Sequence, residues 1–547
     1  MPARVRAPEL SGHGGWIGVE RSLSLKALRG KVVLLHFWTY SCVNCLRVLQ
    51  ELRRLERRFS EELVVVGVHS PKFPREADHE AVVRAVARHR IAHPVLDDPE
   101  LSTSSRYGVR AWPSLVLVDP RGYVAAAVAG EGHGREMGRV IDEVVAEHRA
   151  RGTLVAGEPL DVARMTPPDG ILSFPGKVAV STDGERLAIA DTAHDRVLVC
   201  SADGLVLEAH TGLAQPQGVR FDGDVVVVCD TGADRVVRTD GVVVADGVAS
   251  PWDLVADADG SLIVTEAGRH RLVRVRPGEQ RFLVAAGTGQ EGMEDGPAPQ
   301  ALLAQPSGVA RVHEGIAFAD AEGSALRVLE RAGEVVTLIG QGLYDWGRED
   351  GPPQRARLQH PLGVAASSDG RRVYVADTFN SRLRTWDGRS LRTVAVDALE
   401  EPGGLDVLPD GRLVVADTNH HRVVIVDPDS GQVAPLELDE SWVMSTPGSP
   451  VVADAGRPVG VAVSVELVDE ELDQSDGDAV HIDVTARPAS LLGGSGSWSM
   501  TSAEGELELR AGDPGVGLVL VEVTANTRKE DRHAVRVHRT RHRLEVR

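Results

Sequence analysis

The chain has 547 residues and a formal net charge of −20, with 42% hydrophobic and 26% charged residues. That length exceeds what one core serves, so several domains are expected, and 57 glycines with only 4% aromatics point to a β-rich body full of turns. The charge is uneven: residues 1–150 carry 22 Lys and Arg against 18 Asp and Glu, net +4, which leaves −24 for the remainder. So acidic a body repels phosphate backbones and argues against nucleic acid as a partner.

Residues 1–150 read as alternating strands and helices, the pattern of an α/β layered domain. Residues 31–38, KVVLLHFW, form a nearly continuous apolar run, as in a strand buried on both faces. The pair Cys42-Val43-Asn44-Cys45 follows at once. Leu46, Leu49, Leu52 and Leu55 then recur at helical spacing beside Arg53, Arg54, Arg57 and Arg58. A second buried strand is expected over 63–69, a helix over 76–90, two strands at 114–118 and 123–128 around an Asp-Pro-Arg-Gly turn, and a closing helix over 135–149. Residues 151–169, with Pro159, Pro167 and Pro168, break the pattern and read as a linker.

From 170 to 435 the chain repeats itself. Each unit has a proline-led opening, an apolar strand, an Asp-Gly turn, a strand ending in Ala-Asp-Thr or a variant, and an Arg-led third strand. The acids are Asp191, Asp230, Glu266, Asp320, Asp377 and Asp417. The arginines paired with them by spacing are Arg196, Arg235, Arg271, Arg327, Arg382 and Arg422, five residues on except for a fourth unit stretched by two. The acids lie 39, 36, 54, 57 and 40 residues apart. The two long intervals hold related insertions, 287–306 and 340–361, each with Glu-Asp-Gly and a closing Gln-Pro or His-Pro. Six units of about forty residues, all strand and turn, predict a six-bladed propeller. A motif in every blade reads as architecture, with acid and Thr satisfying turn backbone and Arg pairing with the acid. Tyr344, Trp346 and Arg348, in the second insertion, either contact a partner or cover a blade edge. Residues 436–547 show partial alternation over five segments and an Arg-rich end, which suggests a small β-sandwich-like domain.

Four cysteines are too few for a secreted disulfide scaffold. No apolar segment of signal-peptide length follows the basic start, and the longest apolar runs are strand-length, so neither export nor a membrane span is expected. A reducing cytosol is the default compartment. There Cys42 and Cys45 rest as thiols or cycle. A cysteine at a helix start faces unpaired N–H groups and the positive dipole end, both of which favour thiolate, and a second cysteine three residues on can resolve a mixed disulfide. A structural zinc needs four ligands, and no second Cys-x-x-Cys or closely spaced His pair appears, so only an approach in space by His69, His89 or His93 would complete one. Cys200 and Cys229 end apolar runs and read as buried small hydrophobes. No cofactor is expected.

These residues carry resemblances. Residues 31–50, with Trp112-Pro113 before a later strand, resemble the redoxin branch of the thioredoxin superfamily, including DipZ-like and TlpA-like soluble domains. Segments 190–197 and 376–383 look like NHL repeats. The domain order is similar to that of the NHL repeat-containing protein 2 family. The resemblance implies a thioredoxin fold, Cys42 as nucleophile, Cys45 as resolving thiol, and Pro113 as the cis-proline against which an extended substrate docks. It also places His36 where many thioredoxins keep a buried Asp. Two functions stay open: thiol–disulfide exchange on a protein substrate, with the propeller as interaction platform, or a scaffold whose two domains form one binding surface without turnover.

Overall fold

The computed structural model describes residues 5–157, 160, 162–163, 165, 168, 170–276, 278–279, 281–395 and 399–439, and beyond these the strands at 451–453, 458–464, 471–472, 480–487, 496–500, 504–510, 515–529 and 532–546. Residues 5–150 form a thioredoxin-like α/β domain. Its strands are β1 (Gly15–Ile17), β2 (Val32–Trp38), β3 (Leu63–His69), β4 (Val95–Asp97), β5 (Ser114–Val118) and β6 (Val124–Ala129). They pair in the order β1-β4-β3-β2-β5-β6, with β2, β3 and β4 parallel and the others antiparallel. The helices are α1 (Val43–Arg58), α2 (His79–Arg88), α3 (Ser102–Arg106) and α4 (Gly134–Ala150).

Strand β2 is wholly buried because both its faces are covered. Val32, Leu34 and Trp38 face a core with Val48, Leu49 and Leu52 of α1, Val82 and Val86 of α2, and Ile141 of α4. Val33, Leu35 and Phe37 face a second core completed by Ala7, Leu25 and Leu28 of the N-terminal segment. The sequence reading missed β1, β4 and α3, all five residues or shorter. It also merged a one-turn helix at Pro74–Ala77 with α2; Asp78, whose carboxylate accepts the Glu80 N–H at 3.0 Å, separates the two.

Six antiparallel blades follow, at residues 175–210, 219–246, 251–286, 306–339, 363–395 and 402–435. Thr hydroxyls link one blade to the next: Thr192 donates to Pro216 O at 2.7 Å, Thr231 to Pro251 O at 2.6 Å and Thr378 to Pro402 O at 2.8 Å. Thr418 closes the ring, donating to Pro175 O of the first blade at 2.7 Å. Past the sixth blade the chain returns to the first, where Asp439 N donates to Gly204 O at 3.0 Å.

The acids perform the structural task expected of them. Each accepts a backbone N–H, among them Ser173 N by Asp191 at 2.7 Å and Ala304 N by Asp320 at 2.7 Å, and each takes an arginine. The expected spacing needs correction in two blades. In the fourth, Ala325 stands opposite Asp320 in register and Arg327 lies two residues further on, so no stretch exists. In the fifth, Arg382 stands opposite Asp377, but Arg384 makes the ion pair, at 2.6 Å. Both deviant arginines are fully buried and reach a second carboxylate from an insertion: Arg327 meets Asp295 at 2.8 Å and Arg384 meets Asp350 at 2.6 Å. The Glu-Asp-Gly of each insertion thus pins its blade.

In the C-terminal region a sheet runs 451–453, 532–546, 515–529, 480–487, 496–500, and strands 458–464 and 504–510 form a separate antiparallel pair. Parts of the turns read around 493–496 and 513–515 lie outside the described residues, as does much of the linker. Among the described residues no helix is long and apolar enough to cross a membrane.

Candidate thiol site at the domain interface

Cys42 is the N-cap of α1, in extended conformation, and its sulfur accepts the Cys45 N–H at 3.4 Å. The helix begins at Val43, and the Cys45 N–H is shared between the Cys42 sulfur and, at 3.0 Å, the Cys42 carbonyl oxygen. The Trp112–Pro113 bond is cis, and the Cys42 sulfur lies 3.9 Å from Trp112 O. The Cys42 sulfur thus lies between the Cys45 amide and the carbonyl of the cis bond to Pro113. Both cysteines are free thiols; Cys42 is 6% exposed and Cys45 not at all. Burial, then the neighbouring Cys42, push the Cys45 thiol well above its ordinary pKa.

A buried carboxylate organises the approach to the pair. Glu76 accepts the Thr39 hydroxyl and, at 2.9 Å, the Ser41 N–H with one oxygen. Its other oxygen accepts Lys72 N at 2.8 Å and Phe73 N at 3.1 Å. One side chain so fixes both the segment leading into Cys42 and the loop that carries Lys72.

The propeller covers this face. Gln305, just before the Pro306 that opens the fourth blade, accepts the Val43 N–H at 2.9 Å and donates to Ser41 O at 2.9 Å, one bond on each side of Cys42. Val43, the first spacer residue of the pair, is buried against Trp252, Ala267, Ala321 and Leu362 of the propeller. Phe73 packs on Trp346 and Phe379, with ring centroids 5.6 Å away in each case. Trp346 therefore contacts this chain's own N-terminal domain, whereas Tyr344 is 76% exposed.

Charges complete the contact, and among the described residues every cation of these pairs is on the thioredoxin-like side. Arg47 meets Asp234 at 2.5 Å, Lys72 meets Glu322 at 3.2 Å, and Arg90 meets Asp195 at 2.7 Å. Arg75 meets Glu400 and Glu401, both at 2.8 Å, and Arg84 also meets Glu400 at 2.8 Å. Burial opposes the Lys72 charge, but Glu322 and then the two thiols outweigh it and push its pKa up. Burial pushes the Glu322 carboxyl up to about 7, with Lys72 opposing and Glu291 and Glu76 adding to the rise. A cleft of about 380 Å³ runs between α1 and blades one to three, lined by Gln50, Arg54, His89, Gln217 and Trp252 among others.

Several docking residues, among them Asp195, Asp234, Gln305 and Glu401, belong to two rings of left-handed backbone. Phe174, Gln215, Ser250, Gln305, His360 and Glu401 each precede a blade-opening proline, with φ between 45° and 64°. Asp195, Asp234, His270, Ser324, Ser381 and His421 form the second ring, with φ between 47° and 55°. The repeat fixes their backbone and leaves their side chains free to differ between blades. The signal missed in the sequence was the changing residue before each repeated proline.

His36 is fully buried on β2, neither ring nitrogen has a hydrogen-bond partner among the described residues, and burial pushes its pKa well down. His69 lies 3.8 Å from Asp97, and His93 3.1 Å from Glu56. No three metal-ligating side chains gather among the described residues. Cys200 and Cys229 are fully buried in blade strands, and burial pushes the Cys200 thiol up to about 12.

Residues 30–124 match the thioredoxin-like family and residues 399–426 the NHL repeat. NHL repeat-containing protein 2 of Gallus gallus is 31% identical over 79% of this chain and 71% of its own length. The chain belongs to the NHL repeat-containing protein 2 family. The chloroplastic protein SUPPRESSOR OF QUENCHING 1 of Arabidopsis thaliana is 30% identical over 79% of this chain and 48% of its own. The thiol-disulfide oxidoreductase YkuV of Bacillus subtilis is 26% identical over 27% of this chain and 99% of its own length.

Proposed function

We propose that the chain exchanges thiols with a protein disulfide at Cys42 and Cys45, with the propeller as partner platform and as one wall of the site. The observation that carries this is the capped helix start: the Cys42 sulfur accepts the Cys45 N–H beside the cis Trp112–Pro113 bond. A sulfur anion there is stabilised by an amide and by the positive end of α1. Cys42 attacks one sulfur of the substrate disulfide, and the other leaves as a thiolate. Cys45 then loses its proton and attacks the Cys42 sulfur, which releases the second substrate thiolate and leaves a Cys42–Cys45 disulfide. An external dithiol returns the pair to its reduced form. The similarity to YkuV supports the reading, and a reducing compartment such as the cytosol suits the free thiols. Among partners, an acidic propeller favours proteins over nucleic acids.

Disulfide reduction in an insulin-type turnover assay tests this. Turnover is expected in the wild type, none in Cys42→Ser, and a trapped mixed disulfide in Cys45→Ser. A second reading, a composite binding surface without turnover, draws on the Gln305 bonds that straddle a Cys42 only 6% exposed. It prevails if neither the wild type nor Gln305→Ala reduces a disulfide.

A further inference from the structure

Lys72 and Glu322 stand apart from the rest of the docking contacts. Lys72 sits 5.8 Å from the ring centre of Trp112, the residue whose carbonyl oxygen lies 3.9 Å from the Cys42 sulfur. Its counter-ion, Glu322, comes from the other domain, in the turn of the fourth blade where Ala321 replaces the Thr found in most repeats. Glu322 is 7% exposed, so its charge acts on its neighbours with little solvent screening.

We infer that Glu322 is a positioning residue of the thiol site: the propeller carboxylate holds Lys72 at Trp112, next to Cys42, and, by its own charge, sets how strongly that ammonium stabilises the Cys42 thiolate. The inference rests on the exchange reading for its consequence, because only a reacting thiol gains from it. The groups facing the bridge are Glu76 from the 74–77 turn, Glu291 from the first insertion, His270 of the third blade and His360 before the fifth. His360, pushed down to about 3 by burial and then by Lys72, stays neutral, and burial also lowers His270. Glu322 itself, pushed up to about 7, changes charge in the neutral range. Ionised, it neutralises Lys72 and weakens the thiolate. Protonated, it leaves the ammonium unopposed.

The test uses the full chain with Cys45→Ser, and reads the ultraviolet thiolate absorbance of Cys42 against pH, with Cys42→Ser/Cys45→Ser subtracted. Glu322→Gln is expected to lower the midpoint by roughly half a pH unit, about threefold more thiolate at neutral pH, and Lys72→Met to raise it by about as much or more. Glu322→Asp, which keeps the charge, should stay near the parent. Asp234→Asn, which loosens docking away from the sulfurs, should not move the midpoint. An unmoved midpoint in Glu322→Gln, or the same shift in Asp234→Asn, overturns the inference. Disulfide turnover is scored separately: turnover with an unmoved midpoint sinks the inference alone, and a shifted midpoint without turnover sinks the exchange reading alone.

Discussion

Two side chains carry most of the order at the thiol site. Glu76 is fully buried and accepts four hydrogen bonds, so its removal orphans three backbone amides and the Thr39 hydroxyl at once. Each orphaned buried donor costs about 1–3 kcal/mol, so Glu76→Ala is expected to destabilise the thioredoxin-like domain by about 4 kcal/mol or more in a urea titration. Glu76→Gln, keeping the acceptor oxygen but adding a donor, should cost less. Gln305 does a different task, since its two buried bonds join one domain to the other rather than holding either together. Gln305→Ala should leave the fold intact and raise the alkylation rate of Cys42 several-fold through a wider approach to the sulfur. An unchanged rate would show that Val43 packing alone seals the site. Neither residue was legible in the sequence. Glu76 was read as the start of a helix because its helical spacing with Val82, Val83 and Val86 hid its own turn, and Gln305 contacts a residue 262 positions away.

At the scale of the element, the strands and most helices followed from apolar patterning because a strand or helix must bury one face or both. The arginine partner did not. On a strand, residues five and seven beyond the acid share a face, so Arg382 and Arg384 are equivalent by periodicity. The choice is made by Asp350, which lies in an insertion more than thirty residues away along the chain. The two carboxylates around each such arginine are unequal. Asp320 is fully buried and also holds Ala304 N, whereas the side chain of Asp295 is 44% exposed. Asp320→Ala, which strips a buried guanidinium of its enclosed partner, should cost about 3–5 kcal/mol, and Asp295→Ala about 1 kcal/mol after solvent screening. Thermal or denaturant melts of the two variants decide this; equal losses would mean that the insertion is as much a part of the blade as its own acid.

At the scale of the whole molecule, the charge asymmetry visible in the sequence has a destination. The +4 of residues 1–150 and the −24 beyond meet through Arg47, Lys72, Arg75, Arg84 and Arg90 against five propeller acids. Most of these pairs are only partly buried, so each is worth at most about 1 kcal/mol and is screened as the Debye length falls from ~10 Å at 0.1 M salt to ~3 Å at 1 M. The apolar contacts of Val43 and Phe73 respond in the opposite sense, if at all. The Val43 amide decides which term dominates, because its acceptor is the Gln305 side chain and it is protected only while the domains are docked. If charge dominates, hydrogen exchange at Val43 should speed up roughly tenfold between 0.1 and 1 M sodium chloride, as the loss of about 1.4 kcal/mol of docking requires, while amides in the middle of α1 stay unchanged. Arg47→Gln/Arg90→Gln should show faster exchange at low salt and a flatter salt response. Salt-independent exchange in the wild type would assign the docking to Val43, Phe73 and their apolar partners, and would leave the charge pairs to orient an association that burial drives.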